Sequence, residues 1–214
     1  FKIITFNRYL LIFIGSISLY LFYLLIPLLY EKNWVQANIE SKLLNEFKIK
    51  LSSSANISYH ILPSPHFLIK DTKIIVNGAE KQRLIAEIKN LKVFLSQKNF
   101  FNKDKMSLKK VFINNANFII LRSDLKLLNK YNNSQFSNKK LKINNSIIFF
   151  KDHFEEIISI IKIKKASFFF DDQKLLNLFN LKGETYTIPF SLDFISQIDF
   201  TKEKKINFNA KSLK

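Results

Sequence analysis

From Tyr9 to Tyr30 the chain carries no charged side chain. A helix of about 22 residues rises roughly 33 Å, enough to cross a hydrocarbon core of about 30 Å. For a single apolar pass only a helix satisfies its own backbone in lipid. The pattern therefore predicts a membrane-spanning helix over 9–30, with Pro27 near its exit, where a kink is tolerable. From Asn33 to Phe47 the period becomes that of an amphipathic helix. Val35, Ile39, Leu43 and Phe47 recur every fourth residue as one stripe, and Asn33 stands where an N-cap belongs. Trp34 falls just outside the span, where an indole suits the membrane interface. Such a helix either rests on the membrane-facing side of the anchor or closes the end of the domain behind it.

Beyond Phe47 the period is two. Ile57, Tyr59 and Ile61 share one face of a strand that runs into Pro63 and Pro65. Neither proline can donate to a ladder, so a structural corner is expected there. The stretch His66–Val76 resumes the strand, but its apolar set shifts from Phe67 and Ile69 to Ile74 and Val76, which predicts a bulge near Asp71. Asn77-Gly78 is the strongest hairpin signal in the chain. Leu84–Leu95 puts Leu91, Val93 and Leu95 inward, although its first half is also compatible with a helix. Ser96–Lys105 reads as a loop. Two strands, Ser107–Ile113 and Ala116–Arg122, follow, then a possible helical turn at Leu125–Tyr131. The polar stretch 132–146 reads as a long loop. Further strands are expected over Ile147–Phe150, Ile157–Phe170, Thr185–Phe194 and Lys205–Ala210. The clearest sets Tyr186, Ile188, Phe190, Leu192 and Phe194 against Thr187, Pro189, Ser191 and Asp193. One dry face and one wet face predict an antiparallel sheet covered on one side. Ile206 and Phe208 extend the same dry face.

A short pattern, I-x-x-[AT]-x-[IF], recurs at Ile69/Thr72/Ile74, Ile113/Ala116/Phe118 and Ile163/Ala166/Phe168. A small residue between large ones suits a turn from one strand to the next, repeated along an elongated stack.

Charge orients the anchor. Lys2 and Arg8 precede the span, while Glu31 and Lys32 follow it and nearly cancel, so the N-terminus is expected on the cytoplasmic side and the bulk of the chain outside. A cleaved signal peptide would need a shorter apolar region and a small-x-small site, and Leu29–Asn33 offers none. The sequence has 214 residues, starts at Phe1 and ends within an alternating pattern, so a piece of a longer protein is expected. The absence of cysteine leaves an exported domain to be held by apolar burial alone. With only 3 glycines against 23 phenylalanines, turns must draw on Asn, Asp and Ser. The net charge is +17, almost all of it lysine; only Arg8, Arg83 and Arg122 are arginine. Lysine spread along the chain lacks the focused, arginine-rich patch of a nucleic-acid reader. It fits either a compositional bias or attraction to anionic lipid headgroups.

Candidate chemistry is sparse. His60 and His66 flank the proline corner and could be neighbours, but no cysteine or carboxylate cluster joins them into a metal site. Asp152, His153, Glu155 and Glu156 could imitate an acid–base group and read better as a solvated turn, as do Asp171 and Asp172. No nucleophile elbow, phosphate loop or zinc-protease motif is present. The reading is of a non-enzymatic chain with no cofactor and no metal.

The order of these parts resembles the N-terminal region of the AsmA family of Gram-negative envelope proteins. Trp34, Ile39, Leu43, Ile57, Tyr59, Leu62, Pro63, Pro65, Leu91, Val93, Leu95, Ile113, Ala116 and Phe118 carry the resemblance, which covers roughly residues 9–122. The family's usual glycines at the end of the short helix and before the first proline strand are Asn45–Phe47 and Ala55 here, which bears on turn geometry. The resemblance implies an inner-membrane protein whose strands form an open, taco-like groove that handles phospholipid and supports outer-membrane assembly, with no catalytic residues. Its parts are a cytoplasmic N-terminus (1–8), the span (9–30), an AsmA-like β domain (31–131), the polar loop (132–146) and a continuation of the groove (147–214). The expected lining is Ile57, Tyr59, Ile61, Leu91, Val93, Leu95, Ile188, Phe190, Leu192, Phe194, Ile206 and Phe208, and the partners are phospholipid acyl chains and envelope proteins. A protein-interaction module with a closed sandwich core is the alternative.

Overall fold

The computed structural model describes residues 2–52, 56–77, 82–124, 135–197 and 206–212. Helix α1 (Lys2–Leu25) passes into a short 3-10 turn, Ile26–Leu29, at Pro27. A proline cannot donate to the helix ladder, so the change of winding falls where the kink was expected. Within this region Arg8–Leu29 is long and apolar enough to cross a membrane, and most of its side chains are exposed.

Helix α2 (Lys32–Phe47) follows almost at once. Its N-cap is Glu31, not the expected Asn33; Glu31 is extended (φ −60°, ψ 131°), and its carbonyl accepts from Val35 N–H at 3.0 Å. Val35, Ile39 and Leu43 are buried in the expected stripe, with Phe47 half-buried. They belong to the same core as Leu91, Val93 and Ile113, so α2 closes the domain. A helix this short is marginal alone, and burying each such side chain contributes about 1.5–3 kcal/mol, so packing is what holds it. It ends on Lys48 in the left-handed region (φ 58°), with Ile49 N–H on the Leu43 carbonyl at 3.2 Å. Glycine is the usual residue there, yet the same turn forms around a lysine.

Nine strands make one open sheet in sequence order: β1 (Asn56–His60), β2 (His66–Asn77), β3 (Gln82–Leu95), β4 (Leu108–Leu121), β5 (Lys140–Lys151), β6 (Ile157–Asp171), β7 (Leu176–Thr185), β8 (Ile188–Gln197) and β9 (Ile206–Ser212). Eight spacings of about 4.8 Å make it roughly 38 Å wide. The described strands form a single layer, so no second sheet closes the sandwich that was the alternative. Every pair is antiparallel except β4–β5, which is parallel. The chain leaves β4 at one end of the sheet and must return to the other before β5. That return replaces the expected long loop, and it is shorter than expected, because β5 already begins at Lys140. The expected helical turn at 125–131 lies outside the described residues. Strand β7 was not expected, and β8 starts at Ile188 because Tyr186 and Thr187 form the preceding turn with positive φ. A hairpin does join β2 and β3 at the Asn-Gly signal, but Asn77 pairs with Gln82 and so belongs to the strand, not to a two-residue turn.

The proline corner and the β3–β4, β6–β7 and β8–β9 connections share the end of the sheet where α1 arrives, here the proximal end. The β5–β6 and β7–β8 turns share the distal end.

One correction concerns the recurring pattern. It does not join strands; it creases them. Asp71, Asn115 and Asn145 have φ of 50°, 56° and 46°, and the strand registers place them in one row with Lys89 and Lys164 between and beyond them. At the row each strand shows two outward residues in succession: Lys70-Asp71, Lys89-Asn90, Asn114-Asn115, Asn144-Asn145, Lys164-Lys165. The inward set therefore changes parity, from Ile69 to Thr72, Leu91 to Ile88, Ile113 to Ala116, Ile143 to Ser146 and Ile163 to Ala166. Pairing continues through the bend at Asp71 and shifts instead between Ile74 and Ile75. The expected two strands on either side of Asn115 are thus one, β4. Asn and Asp tolerate this backbone better than other residues with a Cβ. Replacing exposed Asn115 by Val, a β-branched residue at positive φ, is expected to cost about 1–3 kcal/mol, whereas Asn115→Gly stays within about 0.5 kcal/mol; the shift in denaturation midpoint of the detergent-solubilised protein measures both.

Candidate functional site

The registers align the inward side chains into rows. One row runs Tyr59, Phe67, Val93, Val111, Leu141, Phe168, Phe179 and Phe194; the next runs Ile57, Ile69, Leu91, Ile113, Ile143, Ala166, Leu181, Leu192 and Ala210. Across β2–β5 these rows are sealed: Phe67, Ile69, Leu91, Val93, Val111, Ile113 and Leu141 are buried in the core that includes the α2 stripe. Across β6–β8 burial is mixed: Ala166 and Leu181 still belong to the core, while Phe168, Phe179, Phe190, Leu192 and Phe194 are half-buried. Seen from its inner side, the sheet is an apolar trough fully buried near the anchor and partly exposed farther along.

The expected lining residues divide along this line. Leu91, Val93 and Leu95 lie in the sealed part, with Ile57, Tyr59 and Ile61 half-buried at its margin. Phe190, Leu192 and Phe194 are half-buried in the partly exposed part, and Ile188 sits at its distal mouth, 56% exposed. Ile206 and Phe208 lie on β9, but their side chains are outside the described residues. Phe168 and Phe179 were missed as lining. Their rings are 6.2 Å apart, and Phe136 packs on Phe168 at 6.1 Å. The alternation Asn177, Phe179, Leu181 was the available signal for β7, masked by the polar residues around it.

The floor is shaped by a missing side chain. A Cβ on Gly183 would lie 2.7 Å from the Lys162 carbonyl oxygen and 3.2 Å from the Phe190 ring, so the ring fills space that a side chain would take. The outer face behind the trough is polar. Lys162 and Lys164 reach Glu184 at 3.3 and 3.5 Å, and these lysines hold its carboxyl below the usual carboxylate range.

The proline corner holds His60 and His66 side by side as a cross-strand pair, with stacked rings 5.4 Å apart. His66 also stacks on Phe94 at 4.9 Å, and its Nδ1–H donates to the Ser64 carbonyl at 2.8 Å. No cluster of metal-binding side chains forms among the described residues. Nearby, the Tyr59 hydroxyl donates to the Leu24 carbonyl at 2.6 Å, and burial pushes this phenol well above its ordinary range. The acidic candidates are turn-formers: Asp152 Oδ1 accepts from Phe154 and Glu156 N–H, and Asp171 Oδ1 from Gln173 and Lys174 N–H.

Burial lowers the pKa of His66; Lys92 and His60 act in the same direction, and the Ser64 carbonyl opposes them. The unfolded chain then binds this proton more readily than the folded one. Stability is full above the unfolded value of about 6.5 and falls as pH drops through it toward the depressed folded value. Denaturation midpoints at about pH 7.5 and about pH 5 are expected to separate less in His66→Gln than in the native chain.

No family model matches this chain, and no curated protein matches its sequence.

Proposed function

We propose that this chain is a non-enzymatic, single-pass membrane protein of the AsmA type, which holds phospholipid acyl chains in its trough. The carrying observation is the change in burial along one continuous apolar face: buried throughout over β2–β5, and over β6–β8 buried at Ala166 and Leu181 but only half-buried at Phe168, Phe179, Phe190, Leu192 and Phe194. The part of these phenylalanine and leucine side chains that stays in contact with water is costly, at about 25 cal/mol per Å² of apolar surface. An acyl chain laid on them removes that cost and gains about 0.8 kcal/mol for each CH₂ it buries. The occupant is lipid because α1 ties the trough to a bilayer, and because the trough offers few charged groups to a polar ligand. In this reading the N-terminus is cytoplasmic, by the charge around the span, and the sheet lies on the opposite side of the inner membrane. Support for outer-membrane assembly follows from the resemblance of residues 9–122.

The test is photocrosslinking in cells. A benzophenone side chain placed at Phe190 or Phe194 is expected to capture phospholipid several-fold above one placed at Ser191, which points to the outer face of the same strand. Equal capture at the three positions would remove the lipid reading.

A further inference from the structure

The loop between β3 and β4 is fastened to α1 in an unusual way. The Tyr20 hydroxyl donates to Gln97 Oε1 at 3.2 Å. Tyr23 donates to the Gln97 carbonyl at 2.5 Å and accepts from Phe100 N–H at 3.3 Å. The Tyr30 hydroxyl donates to the Phe100 carbonyl. The Tyr23 ring stacks on Phe100 and touches Phe101, with centroids 5.3 Å away in both cases. Phe100 is fully buried by this arrangement, whereas Phe101 beside it is 81% exposed.

The apolar span runs to Leu29. Tyr23 and Tyr20 therefore lie about 9 and about 13 Å back along the helix from its end, at about 1.5 Å per residue. A loop bonded to them cannot stand clear of the bilayer that α1 crosses. Irregular backbone at such depth is tolerated only where its polar groups are satisfied. Several of them are here: the Gln97 carbonyl and both groups of Phe100 are taken by tyrosine hydroxyls, and Asn102 N–H turns back onto the Asn99 carbonyl at 3.0 Å. Two further apolar side chains stand open at the proximal end, Leu62 at the proline corner (82% exposed) and Leu29 (84% exposed). Lys98, Lys103 and Lys105 rim the loop and are exposed, with Lys103 Nζ 5.5 Å from the Trp34 ring centroid.

We propose that the β3–β4 loop is a membrane wedge. Phe101 and Leu62 enter the leaflet next to the sheet, and Lys98, Lys103 and Lys105 engage its anionic phospholipid headgroups, which seats the proximal end of the sheet on the bilayer. The inference rests on α1 spanning a membrane and not on the trough holding lipid, so either can fail without the other.

The native chain has no cysteine, so a single label site is available by substitution. Full-length Phe101→Cys carries an environment-sensitive fluorophore in vesicles of phosphatidylcholine with phosphatidylglycerol, and Phe154→Cys, exposed at the distal end, is the control. Quenchers fixed on the lipid acyl chains are expected to quench the label at Phe101 several-fold more than the label at Phe154, and aqueous iodide to do the reverse. Iodide quenching at Phe101 equal to that at Phe154, with no quenching from lipid, would overturn the wedge. Replacing Lys98, Lys103 and Lys105 by Gln is expected to reduce acyl-chain quenching of Phe101 in vesicles containing phosphatidylglycerol. An undiminished signal would overturn the headgroup contact.

Discussion

An apolar sheet face must be covered, and this fold has one helix with which to cover nine strands. A layered domain normally puts a second layer of matching extent over such a face. Here α2 supplies four turns, and its stripe of Val35, Ile39 and Leu43 shares a core that takes in β2–β5 fully but only Ile163, Ala166 and Leu181 of the strands beyond. Everything distinctive about the rest follows from that mismatch. The inward rows continue unbroken into β6–β8 because the registers force them to, but burial there is only partial. The result is a surface with core composition and incomplete burial, on a chain with a long apolar helix suited to lipid.

The crease shapes the same face. If each strand kept strict alternation, the inward rows would follow a smoothly twisted sheet. Two outward residues in succession, placed at the same level in five neighbouring strands, bend the sheet along one line. The bend is cooperative: a strand that omitted it would turn its apolar set outward beyond the row. Where β6 meets β7 the line ends in a register shift between Ile163 and Lys165, and β7 carries Leu181 and Gly183 through with no change of parity.

Much of this was legible in the residues. The span, the α2 stripe, the proline corner, the Asn-Gly hairpin and the mainly β, one-face-apolar sheet all rest on strong local periodicity. What misled was the crease. Ile113-Asn-Asn-Ala116 looks like the end of one strand and the start of another, because polar doublets usually mark turns. Inside a sheet the same doublet is a bend, and only pairing with neighbours separates the two. The doublets Lys70-Asp71, Asn144-Asn145 and Lys164-Lys165 repeat it at matching levels, which is a signal visible only once the strands are aligned. The parallel β4–β5 pair was not legible either, since a return connection and a disordered excursion have the same polar composition. The division of the lining into buried and partly exposed parts depends on where α2 lies, and no local pattern in the sheet encodes that. Asn33 failed as the cap for a simpler reason: Glu31 already takes the extended conformation after the 3-10 turn, and the helix starts as soon as the backbone permits.

The junction between anchor and sheet explains why the cover sits where it does. Tyr20, Tyr23, Tyr30 and Tyr59 lie around the exit of α1, and each spends its hydroxyl on a group across the junction: Gln97, Phe100 or Leu24. Such bonds are strong where water is scarce and weak where it is plentiful. They therefore fix the sheet to the helix at the membrane interface, while the distal end, where Phe154, Tyr186 and Ile188 are exposed, carries no comparable fastening among the described residues. Because α2 follows Tyr30 after a single residue, it is delivered directly onto the strands beside that junction. The plug is thus proximal because the chain is short there. A trough buried at the membrane end and partly exposed along β6–β8 follows from this connection, and a longer linker after Tyr30 would free α2 to lie elsewhere on the same apolar rows.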